Sequence, residues 1–198
     1  MPLFFKENKV VCFLHIPKTG GTSIEKMISS EVDFFLLHNP KRSKIKRLPS
    51  PQHLNIKQLR YILGNSFLEM DRCTVVRNPM FRLISEYKWL NRKMLTNISL
   101  EDWFEDVVFK YQHDNTLYDN HIQPQHLFVD DRTKVFKFED DGILNCAVYI
   151  SKKLDINMAG HLKHRNKSDV PYVITDKFKE MCFDFYKRDF ERFGYEIQ

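Results

Sequence analysis

The sequence predicts an α/β fold: a three-layer sandwich with a mainly parallel central sheet and a P-loop-like turn leading into the first helix. Two observations predict it. Short apolar runs bounded by turn residues alternate along the chain with segments whose apolar residues recur at helical spacing. The first apolar run also passes through Pro17, Lys18, Gly20 and Gly21 directly into a helical segment, the strand–turn–helix order of an anion site. With 198 residues, 42% hydrophobic and 17 of them Phe, the chain is long enough for one packed core, so a single domain over 1–198 is expected.

Residues 9–15 read as a strand through Val10, Val11, Cys12, Phe13 and Leu14, and 22–30 as the first helix, carrying Ile24, Met27 and Ile28. Phe34, Phe35, Leu36 and Leu37 form a second run of strand length. The stretch 39–51 holds Lys41, Arg42, Lys44, Lys46 and Arg47, no acid and three prolines, and reads as an exposed loop. Asn55 suits the N-cap of a helix over 56–63, with Ile56, Leu59 and Leu63 on one face and Gly64 closing it. Residues 72–76 read as a strand stopped at Asn78 and Pro79, and Pro79 suits the first position of a helix reaching toward Met94. Ser99 caps a helix through Phe109. Residues 134–138 are a strand followed by a helix from Gly142 to Leu154. Residues 157–172 read as irregular and basic. Thr175 caps a closing helix from Asp176 to about Phe190, ending near Gly194.

The net charge of +5 suits an anionic ligand without calling for nucleic acid. Cys12, Cys73, Cys146 and Cys182 form no CxxC pair, which speaks against a structural zinc or a thioredoxin motif; Cys12 and Cys73 fall in apolar runs as buried thiols. No HExxH-like spacing occurs, and no metal is expected. There is no signal-peptide pattern and no apolar stretch of membrane-spanning length, so a reduced, cytoplasmic setting is the simplest expectation.

The turn after the first strand is not the ATP/GTP loop GxxxxGK[ST]. Lys18 precedes Gly20 and Gly21, and Thr22 and Ser23 follow them. Unpaired N–H groups of a helix start, the helix dipole and a Lys together suit a phosphate or sulfate. The plain alternative is a tight strand–helix turn capped by Thr. Arg77 falls at the carboxyl end of a strand, where open α/β sheets bind ligands, and Ser85 lies two turns into the next helix. The pair suits a second phosphate, Arg as a planar fork and Ser as a neutral donor; alone, Arg77 also fits an ordinary ion pair.

The run His15, Ile16, Pro17, Lys18, Thr19, Gly20, Gly21, Thr22, Ser23, with Arg77, Asn78, Pro79, Met80, Phe81, Arg82, Leu83, Ile84, Ser85, Glu86, Tyr87, resembles the carbohydrate sulfotransferases. The likeness is to the family 2 group, with heparan sulfate 2-O- and chondroitin-type enzymes and bacterial relatives. It extends in order through Asn120–Gln125 and Phe136–Asp140 to His164–Ser168 and Tyr186–Tyr195, nearly the whole chain.

The resemblance implies sulfuryl transfer from 3′-phosphoadenosine 5′-phosphosulfate (PAPS) to an acceptor hydroxyl, most naturally of a glycan, leaving 3′,5′-adenosine bisphosphate (PAP). Carried over by motif, Pro17, Lys18, Thr19, Gly20, Gly21, Thr22 and Ser23 hold the 5′-phosphosulfate, and Arg77 and Ser85 hold the 3′-phosphate. Arg165, Lys167 and Ser168 lie where relatives close a basic loop over the nucleotide. Lys18 is implied at the leaving oxygen. His53, between the two nucleotide motifs, matches the family's catalytic base. His38 and His121 are its rivals, the plain alternative being a residue that merely starts a helix, while His15 is expected to brace the loop. The cations 41–47 suit either an anionic polysaccharide or a solvated loop. Trp89, Trp103 and Tyr111 fit sugar stacking or plain core. Two other readings remain at this point: a kinase or NTPase on the same fold, and an inactive nucleotide-binding or scaffold protein.

Overall fold

The computed structural model describes residues 1–38, 49–94, 98–157 and 170–197. The basic stretch 41–47 and the residues Arg165, Lys167 and Ser168 lie outside the described residues. Among the described residues five strands form one sheet: β1 (Leu3–Lys6), β2 (Lys9–Phe13), β3 (Phe34–Leu36), β4 (Asp71–Val76) and β5 (Lys134–Lys137), in the order β3-β1-β2-β4-β5. β2 pairs parallel with β4, and β4 with β5, whereas β1 pairs antiparallel with both β2 and β3. The sheet is therefore mixed, which corrects the expectation of a mainly parallel one. The physical reason is β1, a strand the sequence reading passed over. Only Glu7 and Asn8 separate it from β2, and so short a connection can join only antiparallel neighbours.

Among the described residues there are seven α-helices: α1 (Gly21–Ile28), α2 (Ile56–Leu63), α3 (Ser66–Glu69), α4 (Pro79–Met94), α5 (Leu100–His113), α6 (Gly142–Leu154) and α7 (Asp176–Phe193). Two 3-10 turns, Pro51–His53 and Gln125–Phe128, lie between them. The alternation of strand side chains divides the core. Val11, Phe13, Cys73 and Val75 pack with Ile24, Met27 and Ile28 of α1 and with Cys146, Ala147 and Ile150 of α6. Cys12, Leu14 and Val76 pack on the other side with Leu59, Phe67, Phe128 and Phe193. A third cluster joins α4, α5 and α7 through Leu83, Tyr87, Trp103, Phe104, Phe178 and Tyr186. Trp103 is thus core, as is the packing side of Tyr111. All four cysteines are buried free thiols. No helix among the described residues is long and apolar enough to cross a membrane.

Local signals place the elements that flank the site. Asn55 caps α2 in a full capping box with Gln58. Ser99 and Thr175 cap α5 and α7 through their side chains. Asn78 Oδ1 accepts from the Met80 N–H at 3.0 Å, so Pro79 enters α4 at a position where no N–H is needed.

Candidate active site

β2 and β4 run parallel side by side, so the segments that leave their carboxyl ends emerge together. After β2 the chain turns through His15–Gly20 into α1. Thr19 is fully buried and its hydroxyl donates to the Ile16 carbonyl at 2.9 Å, closing the turn from inside. Lys18 takes a left-handed φ of 69° and Gly20 one of 88°. Gly20 is the N-cap of α1 and makes no side-chain capping bond, so the first N–H groups of the helix have no side-chain partner there. A Cβ on Gly20 would lie 2.4 Å from Ile143 Cδ1, and one on Gly21 2.7 Å from the His15 ring. Side chains are therefore excluded at both positions by the close approach of Ile143 and His15. Thr22 is exposed and Ser23 half-buried on the first turn.

Arg77 follows β4. Its Nη1 donates to the Lys18 carbonyl at 3.3 Å, and its guanidinium lies 4.5 Å above the Phe138 ring. Among the described residues it forms no ion pair, although Glu139 and Tyr195 are near enough to oppose the lowering that burial imposes on its pKa. Its backbone is gripped by Gln125. Arg77 N–H donates to Gln125 Oε1 at 2.9 Å, and Gln125 Nε2 donates to the Arg77 carbonyl at 2.7 Å. Gln125 is in turn fixed by Asp189 of α7, which accepts from the N–H groups of Gln125 and His126 at 2.7 and 2.8 Å. Ser85 is half-buried in α4.

Next to the turn stands a row of imidazoles. The rings of His15 and His53 are 5.1 Å apart, those of His53 and His121 4.8 Å, and Trp89 lies 5.7 Å beyond His121. Lys18 Nζ is 5.3 Å from the Trp89 ring centre, which ties the turn to the far end of this row. Each imidazole meets a carboxylate through Nδ1: His15 with Glu25, His53 with Asp119 at 2.8 Å, and His121 with Glu86 at 2.7 Å. Burial alone would raise these three acids. The histidines, with Ser50 at Asp119 and Gln52 at Glu25, hold all of them below the usual carboxylate range. Ionised acids only accept, so each ring donates from Nδ1.

His53 is 8% exposed. Burial is the main force on it and pushes its pKa down to about 3, with His15 and His121 acting the same way and Asp119 opposing. His38 sits on the other side of Glu25, 3.2 Å from Oε2, and does not join the row. Ligand atoms of His53, Asp119 and His121 lie within 4.8 Å of one another, a grouping that a spacing of 66 residues hides in the sequence. Hydrogen bonds within the group and to Glu86 and Ser50 already account for its geometry.

Two segments bring the row together. Arg82, 1% exposed, donates to the carbonyls of His121 and Gln123 at 3.0 and 2.8 Å, and Tyr186 Oη donates to Ile122 O at 2.8 Å. Asn120 Nδ2 donates to the His53 carbonyl at 2.8 Å. The structure thus brings Lys18, Arg77 and His53 to one region. It adds Asp119, Glu86, Glu25 and Gln125, to which sequence reasoning assigned no role. The one available signal was the Asp119–Asn120 pair beside His121, a turn signal with polar side chains able to reach back.

A glycine-lined helix start beside a half-buried arginine and a neutral histidine defines an α/β protein suited to an anionic ligand and to proton removal next to it. The chain matches the family model of the sulfotransferase family over residues 1–196 and belongs to that family, whose chemistry is sulfuryl transfer. No curated protein and no solved structure matches it.

Proposed function

We propose that this chain transfers a sulfuryl group from PAPS to a hydroxyl of an acceptor, a carbohydrate in the first instance, with His53 as general base. The observation that carries the reading is the contact between Arg77 and the Lys18 carbonyl, because it makes one surface of two motifs that each suit an anion. PAPS, unlike ATP, carries anionic groups at both its 3′ and 5′ ends. The residues present fit it: the turn 17–23 has backbone where side chains would clash, and Arg77 is a cation without an ion pair among the described residues.

In this reading the donor supplies an activated sulfuryl group on its 5′-phosphate. Lys18 and the first N–H groups of α1 hold the negative charge that gathers on the bridging oxygen as its bond to sulfur breaks. Thr22 and Ser23 offer hydroxyls to the same end, and Arg77 and Ser85 hold the 3′-phosphate. The acceptor oxygen forms the new bond to sulfur while His53 Nε2 takes its proton. Burial holds His53 neutral, so the ring is ready to accept that proton. Its basicity rises when an anionic donor sits close by, because negative charge favours the imidazolium. Trp89 stands beside Lys18 and His121, on the side of the row where an acceptor would approach.

Calorimetry with PAP against ADP tests the assignment. Strong preference for PAP is expected; equal affinity overturns the donor assignment and favours a nucleoside-triphosphate enzyme instead.

A further inference from the structure

A histidine that acts as a base needs one bare ring nitrogen, pointed the right way. We propose that Asp119 is the positioning residue for His53: by accepting the Nδ1 proton it leaves Nε2 as the lone-pair nitrogen, and a left-handed turn at Tyr118, Asp119 and Asn120 holds it in place. The inference rests on the reading of His53 as the base.

The carboxylate is itself fixed. Asp119 Oδ2 accepts from His53 Nδ1 at 2.8 Å and from the Ser50 hydroxyl at 2.7 Å, while Oδ1 accepts from the Ser50 N–H. Ser50 also holds the backbone of His53, whose N–H donates to the Ser50 carbonyl at 2.9 Å. The ring and its own main chain are thus tied to the same two residues. A neutral imidazole carries one proton, and an ionised carboxylate has none to give, so the proton sits on Nδ1.

The backbone that delivers Asp119 is unusual. Tyr118, Asp119 and Asn120 have φ of 50°, 62° and 65°, three consecutive non-glycine residues in the left-handed region. Each costs on the order of 1–2 kcal/mol, and such runs persist only where surrounding contacts over-determine them. Here every residue from 119 to 123 is held: Asp119 by Ser50 and His53, Asn120 by the His53 carbonyl, His121 by Glu86 and Arg82, Ile122 by Tyr186, and Gln123 by Arg82. A mere surface turn between α5 and the Gln125–Phe128 turn has no need of that geometry.

The test is nitrogen NMR of the full chain labelled with ¹⁵N-histidine, with PAP calorimetry as the check on folding. The His53 signals are assigned by their loss in His53→Gln. In the wild-type chain, His53 is expected to show a protonated Nδ1 and a bare Nε2. In Asp119→Asn, the amide NH₂ faces Nδ1 once Ser50 N–H holds the remaining oxygen, so the proton is expected to move to Nε2 while PAP affinity is kept. A wild-type ring protonated on Nε2 overturns the proposal. So does an Asp119→Asn ring that keeps its Nδ1 proton, since Asp119 would then only tether the backbone. If Asp119→Asn does not fold, the wild-type proton spectrum still decides: a Nδ1–H bonded to a carboxylate resonates far downfield, and the lack of such a signal for His53 refutes the pairing. Neither readout depends on turnover, so loss of the base reading through an active His53→Ala would be seen separately.

Discussion

The guanidinium of Arg77 reaches back across the end of the sheet to Lys18, donating from Nη1 to its carbonyl oxygen at 3.3 Å. Fifty-nine residues of sequence separate the two, yet the parallel pairing of β2 with β4 makes them neighbours. In the proposed reading, one end of the nucleotide is thereby held in register with the other.

Replacing Arg77 by Lys keeps a charge but loses the fork that can hold Lys18 O and a phosphate at once. A lost charge-assisted hydrogen bond is worth about 1.5–3 kcal/mol, so PAP affinity is expected to fall roughly 10- to 100-fold. ADP affinity is expected to change far less. Calorimetry with both nucleotides measures the difference, and equal losses would move the 3′-phosphate elsewhere.

Gly21 abuts the His15 ring, and a Cβ there would lie 2.7 Å from it. His15 is pinned by Glu25 and cannot easily give way. Gly21→Ala is expected to destabilise the fold by about 1–3 kcal/mol, the usual range for overpacking, and to weaken PAP binding as the turn shifts. Urea unfolding alongside calorimetry separates the two effects.

Acid is expected to weaken the fold first through His53. His53 has a folded pKa of about 3, below its ordinary 6.5, so the unfolded chain takes up a proton first. Stability is therefore complete above about pH 6.5 and declines as pH falls toward 3, at up to about 1.4 kcal/mol per unit from this one group. Glu25, Glu86 and Asp119 add losses only below the ordinary carboxylate range of about 4. Unfolding measured on either side of pH 6.5 reveals the slope, and His53→Gln is expected to flatten it.

Among the histidines, only His53 is expected to matter as a base. His53→Ala lowers turnover about 10²–10⁴-fold, the usual contribution of such a group, with PAP affinity kept. His38→Ala, changing a ring on the far side of Glu25, leaves turnover near the wild-type value. The reverse pattern would reassign the base.

What the sequence disclosed follows from how local each signal is. The α2 start at Asn55, the α7 start at Thr175 and the strand Asp71–Val76 are written in neighbouring residues, and each was legible. The strand Leu3–Lys6 was not. Four residues of ambiguous pattern become a strand only by pairing with β2 and β3, and that pairing changes the sheet from mainly parallel to mixed. At the site, Lys18, Arg77 and His53 stood in recognisable runs. Asp119 did not, because no feature within a few residues says which of 26 acids meets a histidine 66 positions away.

Gln125 has a consequence of its own. At the end of β4 its side-chain amide accepts from Arg77 N–H and donates to Arg77 O, the two bonds a further β-strand residue would make. One side chain thus impersonates a peptide unit and extends the sheet by a residue, while Asp189 of the last helix holds it at the correct depth. Glutamate, nearly the same shape, has no N–H to give and would set a carboxylate against the Arg77 carbonyl. The direction in which Arg77 points is therefore governed from α7, at the opposite end of the chain from the turn it serves.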